Sequence, residues 1–201
     1  MYAAGEYDLA GFAVGIAERD ALLRPDRVVA SDVIIGVASS GLHSNGYSLA
    51  RRVFIDEMEL NYDQPFADGQ ASLGDALLEP TRIYTKSITH LLEQLGGEVH
   101  GLAHITGGGL LENIPRALPK GLTACIDRST YERPAIFRAL AEGGPVEEQE
   151  MQRTFNLGVG LVAIVQKDHA EKAVAALNEA GENAWVLGQV SNDREPAIII
   201  D

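Results

Sequence analysis

Thiols are almost missing from this sequence: Cys125 is the single cysteine in 201 residues. No intramolecular disulfide can form, and with no second Cys or nearby His, neither thiolate catalysis nor a cysteine metal site is indicated. Cys125 lies in the apolar stretch LTACID and is expected to be a buried core thiol. Positive charge is also scarce, with 16 Lys and Arg against 29 Asp and Glu and a formal net charge of −13. Such a field repels polyanions, which argues against nucleic acid or an anionic membrane as a general partner. A phosphorylated ligand would need local donors that overcome it. Long apolar runs are missing as well, none approaching the roughly 18 to 20 residues that cross a bilayer. The start, MYAAGEYDLAG, has neither the basic nor the apolar part of a signal peptide. A soluble, cytoplasmic protein is expected.

The remaining composition, 46% hydrophobic and 22% charged, suits one globular domain spanning residues 1–201. Short β-rich runs alternate with helical patterns, which predicts an α/β (α+β-like) fold, a mixed β-sheet flanked by helices. Strands are expected at Leu9–Ile16, Val33–Ala38, Leu102–Ile105, Leu122–Ile126, Val159–Val165, Ala184–Val190 and Ala197–Ile200. Helices are expected at Gly46–Asp56, Gly74–Leu78, Ile83–Leu95, Gly107–Ile114, Pro134–Gly143 and Asp168–Ala180. Asp168 has the chemistry of an N-cap and Gly181 that of a stop. Glu147–Glu150 reads as a solvated charge run, and His100 as a surface residue.

Three segments carry candidate chemistry. The first is SSGLHSNG, between the strand VIIGVA and a helix. Ser39, Ser40, Ser44 and Asn45 present hydrogen-bonding side chains beside backbone N–H groups, Gly41 and Gly46 permit positive φ or close approach, and His43 can donate to a phosphate oxygen or move a proton. The same residues also suit a polar strand-to-helix turn with Asn45 as the N-cap, and spacing alone does not choose.

The second segment, HITGGGLLENIPRALP, sets His104, Thr106 and the run Gly107, Gly108 and Gly109 at a helix start. Each glycine there costs about 1 kcal/mol relative to alanine, so the run needs a reason, and close approach of the backbone to a ligand supplies one. A flexible turn is the alternative. His104 divides between a packed, orienting histidine and a ligand-facing one, and Arg116 suits an i,i+4 pair with Glu112. The third segment, MQRTFNLGVG, offers Arg153 for a phosphate or an acidic neighbour and Asn156 for hydrogen bonding, while Gly158 and Gly160 mark a bulge or close packing. No spaced carboxylate cluster points to a metal.

Together, SSGLHSNGYSL, LEPTRIYTKSI, HITGGGLLENIPRALP, MQRTFNLGVG and GENAWVLGQV resemble the phosphoribosylformylglycinamidine cyclo-ligase family, also called aminoimidazole ribonucleotide synthetase. The segments occur in family order over nearly the whole chain. The resemblance implies a two-domain parent that uses ATP to activate the formyl amide oxygen of formylglycinamidine ribonucleotide and then closes the imidazole ring. It implies that ATP and Mg²⁺ are bound mostly by an N-terminal domain that also forms a homodimer. The family's Gly-Glu-Thr-Ala-Glu segment would lie upstream of Met1-Tyr2, so the chain reads as the C-terminal, substrate-side domain, expected to be inactive alone. On this resemblance His43, Asn45 and His104 face the reacting substrate, Ser39, Ser40, Ser44 and the Gly41 backbone hold a phosphate, Thr106 and Gly107–Gly109 complete the opposite wall, and Gly46, Arg153 and Asn156 are further substrate or phosphate contacts. A phosphorylated-ligand binding module without catalysis is the alternative.

Overall fold

The two most apolar runs of the sequence become the centre of a six-stranded sheet. The computed structural model describes residue 7 and residues 10–66, 72–192 and 197–200. Strands β1 (Val33–Ala38), β2 (Val99–His104), β3 (Thr123–Ile126), β4 (Val159–Val165), β5 (Ala184–Ser191) and β6 (Ile198–Ile200) lie in the order β2-β4-β1-β5-β3-β6. All neighbours are antiparallel except β3 and β6, which are parallel. The sheet is therefore mixed, as the sequence implied.

Alternation along the strands sends side chains to two faces. Ile35, Val37, Leu161 and Ala163 pack under α3 (Thr85–Leu95) and α7 (Ala170–Glu179), whose Leu91, Leu95, Ala173 and Leu177 close that face. Ile34, Val162 and Ile164 meet Leu110 of α4 (Gly109–Asn113), together with Ile114 and Leu118. With both faces covered, every residue of β4 is buried, which is why VGLVAIV is uninterrupted by polar residues.

A third apolar cluster forms a lobe beside the sheet. It joins α1 (Tyr47–Arg51), which continues as a π-helical turn over Arg52–Glu57, with α2 (Leu73–Leu78), α5 (Ala135–Gly143) and α6 (Glu148–Thr154). Phe54, Phe137 and Phe155 are fully buried there, and each contributes about 1.5 to 3 kcal/mol of transfer free energy. Helix α6 was not expected from sequence, because EEQEMQRT reads as charge. Its signal is the pair Met151 and Phe155, one turn apart and both buried.

Several expectations are corrected. No strand forms at 10–16: Phe12 is 92% and Val14 82% exposed, and among the described residues no neighbouring strand receives them. The first residue of that expected strand, Leu9, lies outside the described residues. His100 is not a surface residue. Its Nδ1 lies 2.7 Å from Oδ2 of Asp32, itself 1% exposed and accepting from the Val29 N–H. Gln166, not Asp168, caps the turn leading into α7, accepting from the Asp168 N–H. Cys125 is only half-buried, its thiol against Ser191. Gly181 does end α7, at φ 87°.

Candidate functional site

Strand order brings the three candidate segments together. β4 lies between β2 and β1 and runs antiparallel to both, so Ala38 stands opposite Val159 and His104 opposite Leu161. The loops leaving β1 and β2 and the segment entering β4 therefore meet at one end of the sheet. Ser39 N–H donates to Gly158 O and Ile105 N–H to Gly160 O. Asn156, buried, ties two of the segments. Its Nδ2 donates to Gly41 O, and its Oδ1 accepts from Ser39 Oγ and from Gly158 N–H, each at 2.8 Å.

The Ser39–Gly46 loop is folded around His43. His43 and Ser44 both have positive φ, 54° and 62°, and the imidazole is turned inward, 3% exposed. Its Nε2 accepts from the Ser40 N–H at 3.0 Å and the Arg82 N–H at 3.3 Å. The ring hydrogen of the neutral form therefore sits on Nδ1, which is buried without a partner among the described residues. Burial, reinforced by His104 and Arg82, lowers its pKa to about 4. His43 thus organises the loop from inside as a neutral ring, and its main-chain carbonyl accepts from Asn45 Nδ2 at 2.8 Å. Asn45 is not the helix cap; Gly46 takes that place in the left-handed region, and a Cβ on it would meet the Phe155 ring at 2.3 Å. Two serine hydroxyl hydrogens are committed to protein acceptors, Ser39 to Asn156 and Ser40 to Pro80 O, while Ser44 shares one with Thr81.

This burial has a sign. The unfolded chain takes up a proton at His43 near the ordinary value of 6.5, whereas the folded chain does so only near 4. Stability from this group is complete above pH 6.5 and is lost as pH falls toward 4, by up to roughly 3 kcal/mol. Urea unfolding between pH 4 and 7 is expected to show that loss in the wild-type chain and a flatter profile in His43→Gln. Parallel profiles would overturn the assignment.

The glycine run divides. Gly108 and Gly109 have φ of 94° and 58°, and a Cβ on Gly109 would stand 2.0 Å from Gln152 O. The turn explains glycine at 108, and the turn together with packing against α6 explains it at 109. Gly107 alone has open space, its nearest neighbour being Asn45 Oδ1 at 3.5 Å. The turn is held by Asn113, buried, whose Nδ2 donates to the carbonyls of Thr106, Gly107 and Gly109 and whose Oδ1 accepts from Thr106 Oγ1. The Glu112–Arg116 pair forms at 3.7 Å.

Three rings line the junction. His104, exposed, lies with its centroid 6.3 Å from His43 and 6.1 Å from Tyr84. Tyr84 is buried, donates to Ala38 O at 2.7 Å, and has its phenol pKa raised by burial and by Glu182. Both rings beneath His104 are therefore neutral, and His104 is the ring of the three that reaches solvent. Arg153 stands apart, exposed on α6, with no ion pair among the described residues.

The family described as AIR synthase related protein, C-terminal domain, matches residues 29–201. The chain belongs to that family. It is 60% identical over 190 residues to the phosphoribosylformylglycinamidine cyclo-ligase of Sorangium cellulosum, covering 94% of this chain and 55% of that protein. With the cyclo-ligase of Pseudothermotoga lettingae it shares 47% identity, covering 99% and 58%. The chain spans about half the length of these relatives. Among solved structures, thiamine-monophosphate kinase from Stenotrophomonas maltophilia superposes with a TM-score of 0.61 at 16% identity, covering 92% of this chain and 54% of that one. The hydrogenase maturation protein HypE of E. coli gives 0.54 at 20%, covering 86% and 47%. These structural likenesses show a shared fold.

Within this AIR synthase C-terminal domain, sequence reasoning missed the segment that closes the third side of the junction. Arg82 donates through Nη2 to Gly181 O and pairs through Nε with Glu182, whose nearly buried carboxylate also accepts from Ser87 Oγ. That network fixes Thr81 and Arg82 against the β1 loop. Its signal, LEPTRIY beside GENAW, was visible only as part of the family pattern. Among the described residues no helix is long and apolar enough to cross a membrane, and no three His, Cys, Asp or Glu side chains cluster to hold a metal ion.

Proposed function

We propose that this chain is the C-terminal, substrate-side half of an ATP-dependent cyclo-ligase that converts formylglycinamidine ribonucleotide to aminoimidazole ribonucleotide in purine synthesis. The names of the relatives support it. The observation that carries it is the meeting of the β1 loop, the β2 glycine turn and the entry to β4 at one end of the sheet. Such a wall positions a substrate but supplies little charge. Closing a ring within one molecule needs orientation and proton transfer more than a strong nucleophile from the protein.

His104 is the proton-handling group in this reading, since it is exposed above two neutral rings. Asn45 orients the reacting amide across from Gly107, with its own amide held by the His43 carbonyl. His43, Ser39, Ser40 and Asn156 are positioning residues, because their polar groups are engaged within the protein. Ser44 and Thr106, whose hydroxyls make only longer bonds of 3.2 Å to Thr81 and Asn113, remain for phosphate contact with the Gly107–Gly108 main chain, and Gly41, Gly46 and Gly109 shape the backbone. Arg153 would serve only where a second domain closes over it. ATP supplies the phosphoryl group that activates the amide oxygen. The hydroxyl, amide and imidazole donors of this wall do not fit Mg²⁺, which is held mainly by carboxylates and phosphate oxygens. A preceding domain, which also makes the parent a cytoplasmic homodimer, holds both. The exposed apolar residues Phe12, Val14, Ile16 and Ile83 are its contact surface on this chain, and this chain alone is inactive.

The test is a chimaera in which this chain replaces the matching part of the Sorangium relative, assayed for ATP-dependent ring closure. Activity is expected, and His104→Ala is expected to lower kcat by about 10²-fold or more. Asn45→Ala is expected to cost about tenfold through lost orientation. An inactive but folded chimaera would remove the cyclo-ligase reading, and an unchanged kcat in either variant would remove that residue.

A further inference from the structure

A second group of chemistry lies beside the junction, on the outer flank of β2. Among the described residues this strand is at the end of the sheet, paired only with β4. A cavity of about 560 Å³ runs along it from Gly101 to His104, within the range of roughly 300 to 1,000 Å³ typical of small-molecule sites. Arg24 lines one wall, and Thr106, Asn113 and Arg116 line the other. None of the lining residues is acidic. In a chain of net charge −13, a cavity lined by two arginines and by no acidic residue among those described runs against the prevailing field.

The cations are available. The Arg24 side chain has no ion pair or hydrogen bond among the described residues. Its position is nevertheless set, because a 3-10 turn follows over Pro25–Arg27, Val28 is buried in the core, and Arg27 Nη2 donates to Gly97 O at 2.8 Å. Arg116 donates through Nη1 to Asn113 Oδ1 at a long 3.4 Å and has Glu112 at 3.7 Å, with both charged side chains more than half exposed, and such a surface pair is readily exchanged for a stronger anion. Another cavity lined by two arginines offers a contrast. There Arg128 and Arg133 both contact the Glu148 carboxylate, at 2.5 and 2.7 Å, and are already compensated.

We propose that Arg24 and Arg116 form the subsite for the phosphate monoester of a sugar phosphate, with the sugar lying along β2 toward His104 and Thr106. Guanidinium forks match the geometry of phosphate oxygens, and the cavity opens onto the same His104 and Thr106 that line the junction. The inference deepens the proposed function, since it rests on a phosphoribosyl substrate. It sets the 5′-phosphate on the β2 flank and leaves the Ser39–Gly46 loop to the reacting end.

Titration of the ¹⁵N-labelled chain with ribose 5-phosphate and with ribose, followed by NMR, tests it. Ribose 5-phosphate is expected to shift the Arg24 and Arg116 Nε–H signals and the Thr106 amide, and ribose is not. Arg24→Gln with Arg116→Gln is expected to weaken that binding by about tenfold or more. Both side chains are exposed, so the fold should persist, and an unchanged amide spectrum elsewhere checks it. Shifts confined to residues 39–46, equal responses to ribose, no response, or affinity within twofold in the double variant would each overturn the proposal. The titration makes no use of ring closure, so an inactive chimaera would count against the parent reaction and leave this result standing.

Discussion

Gly109→Ala is expected to destabilise the chain by about 2 to 5 kcal/mol, one of the largest effects available to a single methyl group. Two costs combine. The residue sits at φ 58°, where a Cβ meets its own carbonyl and costs about 1 to 2 kcal/mol. The same Cβ would lie 2.0 Å from Gln152 O and 2.8 Å from Phe155 O, main-chain atoms that cannot rotate away, and forcing α4 and α6 apart costs about 1 to 3 kcal/mol. For a chain of this size each kcal/mol moves the thermal midpoint by about 2 to 4 °C, so a fall of roughly 10 °C should appear in a circular-dichroism melt. Gly107→Ala is the control, because its φ is not positive and its nearest neighbour is a side-chain oxygen at 3.5 Å. It should melt within about 0.5 kcal/mol of wild type while crowding the face toward Asn45. Equal destabilisation by the two would show that the run is needed as a flexible turn.

That contrast shows where sequence was readable. Hydrophobic period and glycine or proline punctuation located β1, β3, β4, β5, β6 and every helix of the sheet faces, because those elements carry regular apolar runs or stripes. The exposed strand pattern at Phe12, Val14 and Ile16 obeyed the same period and formed nothing, since a strand needs hydrogen-bonding neighbours that composition does not reveal. Helix α6 failed in the opposite way: its stripe is only Met151 and Phe155, too short to register against four acidic or amide residues.

The site was legible in its segments but not in its division of labour. Sequence reading treated His43, Ser39, Ser40 and Asn156 as ligand-facing because their chemistry permits it. Tertiary structure turns those groups on one another, since polar groups at a buried loop junction must find partners within the protein. Side-chain direction depends on partners distant in sequence, such as Gly158 for Ser39 and Arg82 for His43. No local spacing encodes them. The Glu112–Arg116 pair was readable for the converse reason, being one helical turn in length.

Asn156 is where that division can be measured most sharply. Its amide, itself buried, joins a donor to Gly41 O with an acceptor for Ser39 Oγ and Gly158 N–H. Asn156→Ala strands a buried carbonyl and a buried N–H at once, and each orphaned group costs about 1 to 3 kcal/mol, so a total loss of about 3 to 4 kcal/mol is expected. Asn156→Asp should fare little better, because it keeps the acceptor, loses the donor and sets a carboxylate against the Gly41 carbonyl. Ser39→Ala alone should cost only about 1 kcal/mol. Placed on Asn156→Ala it should cost almost nothing further, because the hydroxyl has already lost its partner; urea denaturation of the four proteins in the cycle measures that coupling. A ligand-contacting Asn156 would behave differently: its alanine variant would melt near wild type, and the loss would appear only in substrate binding. Strict additivity with Ser39 would likewise break the link between the β1 loop and the entry to β4, and with it the wall on which the proposed orientation of the substrate depends.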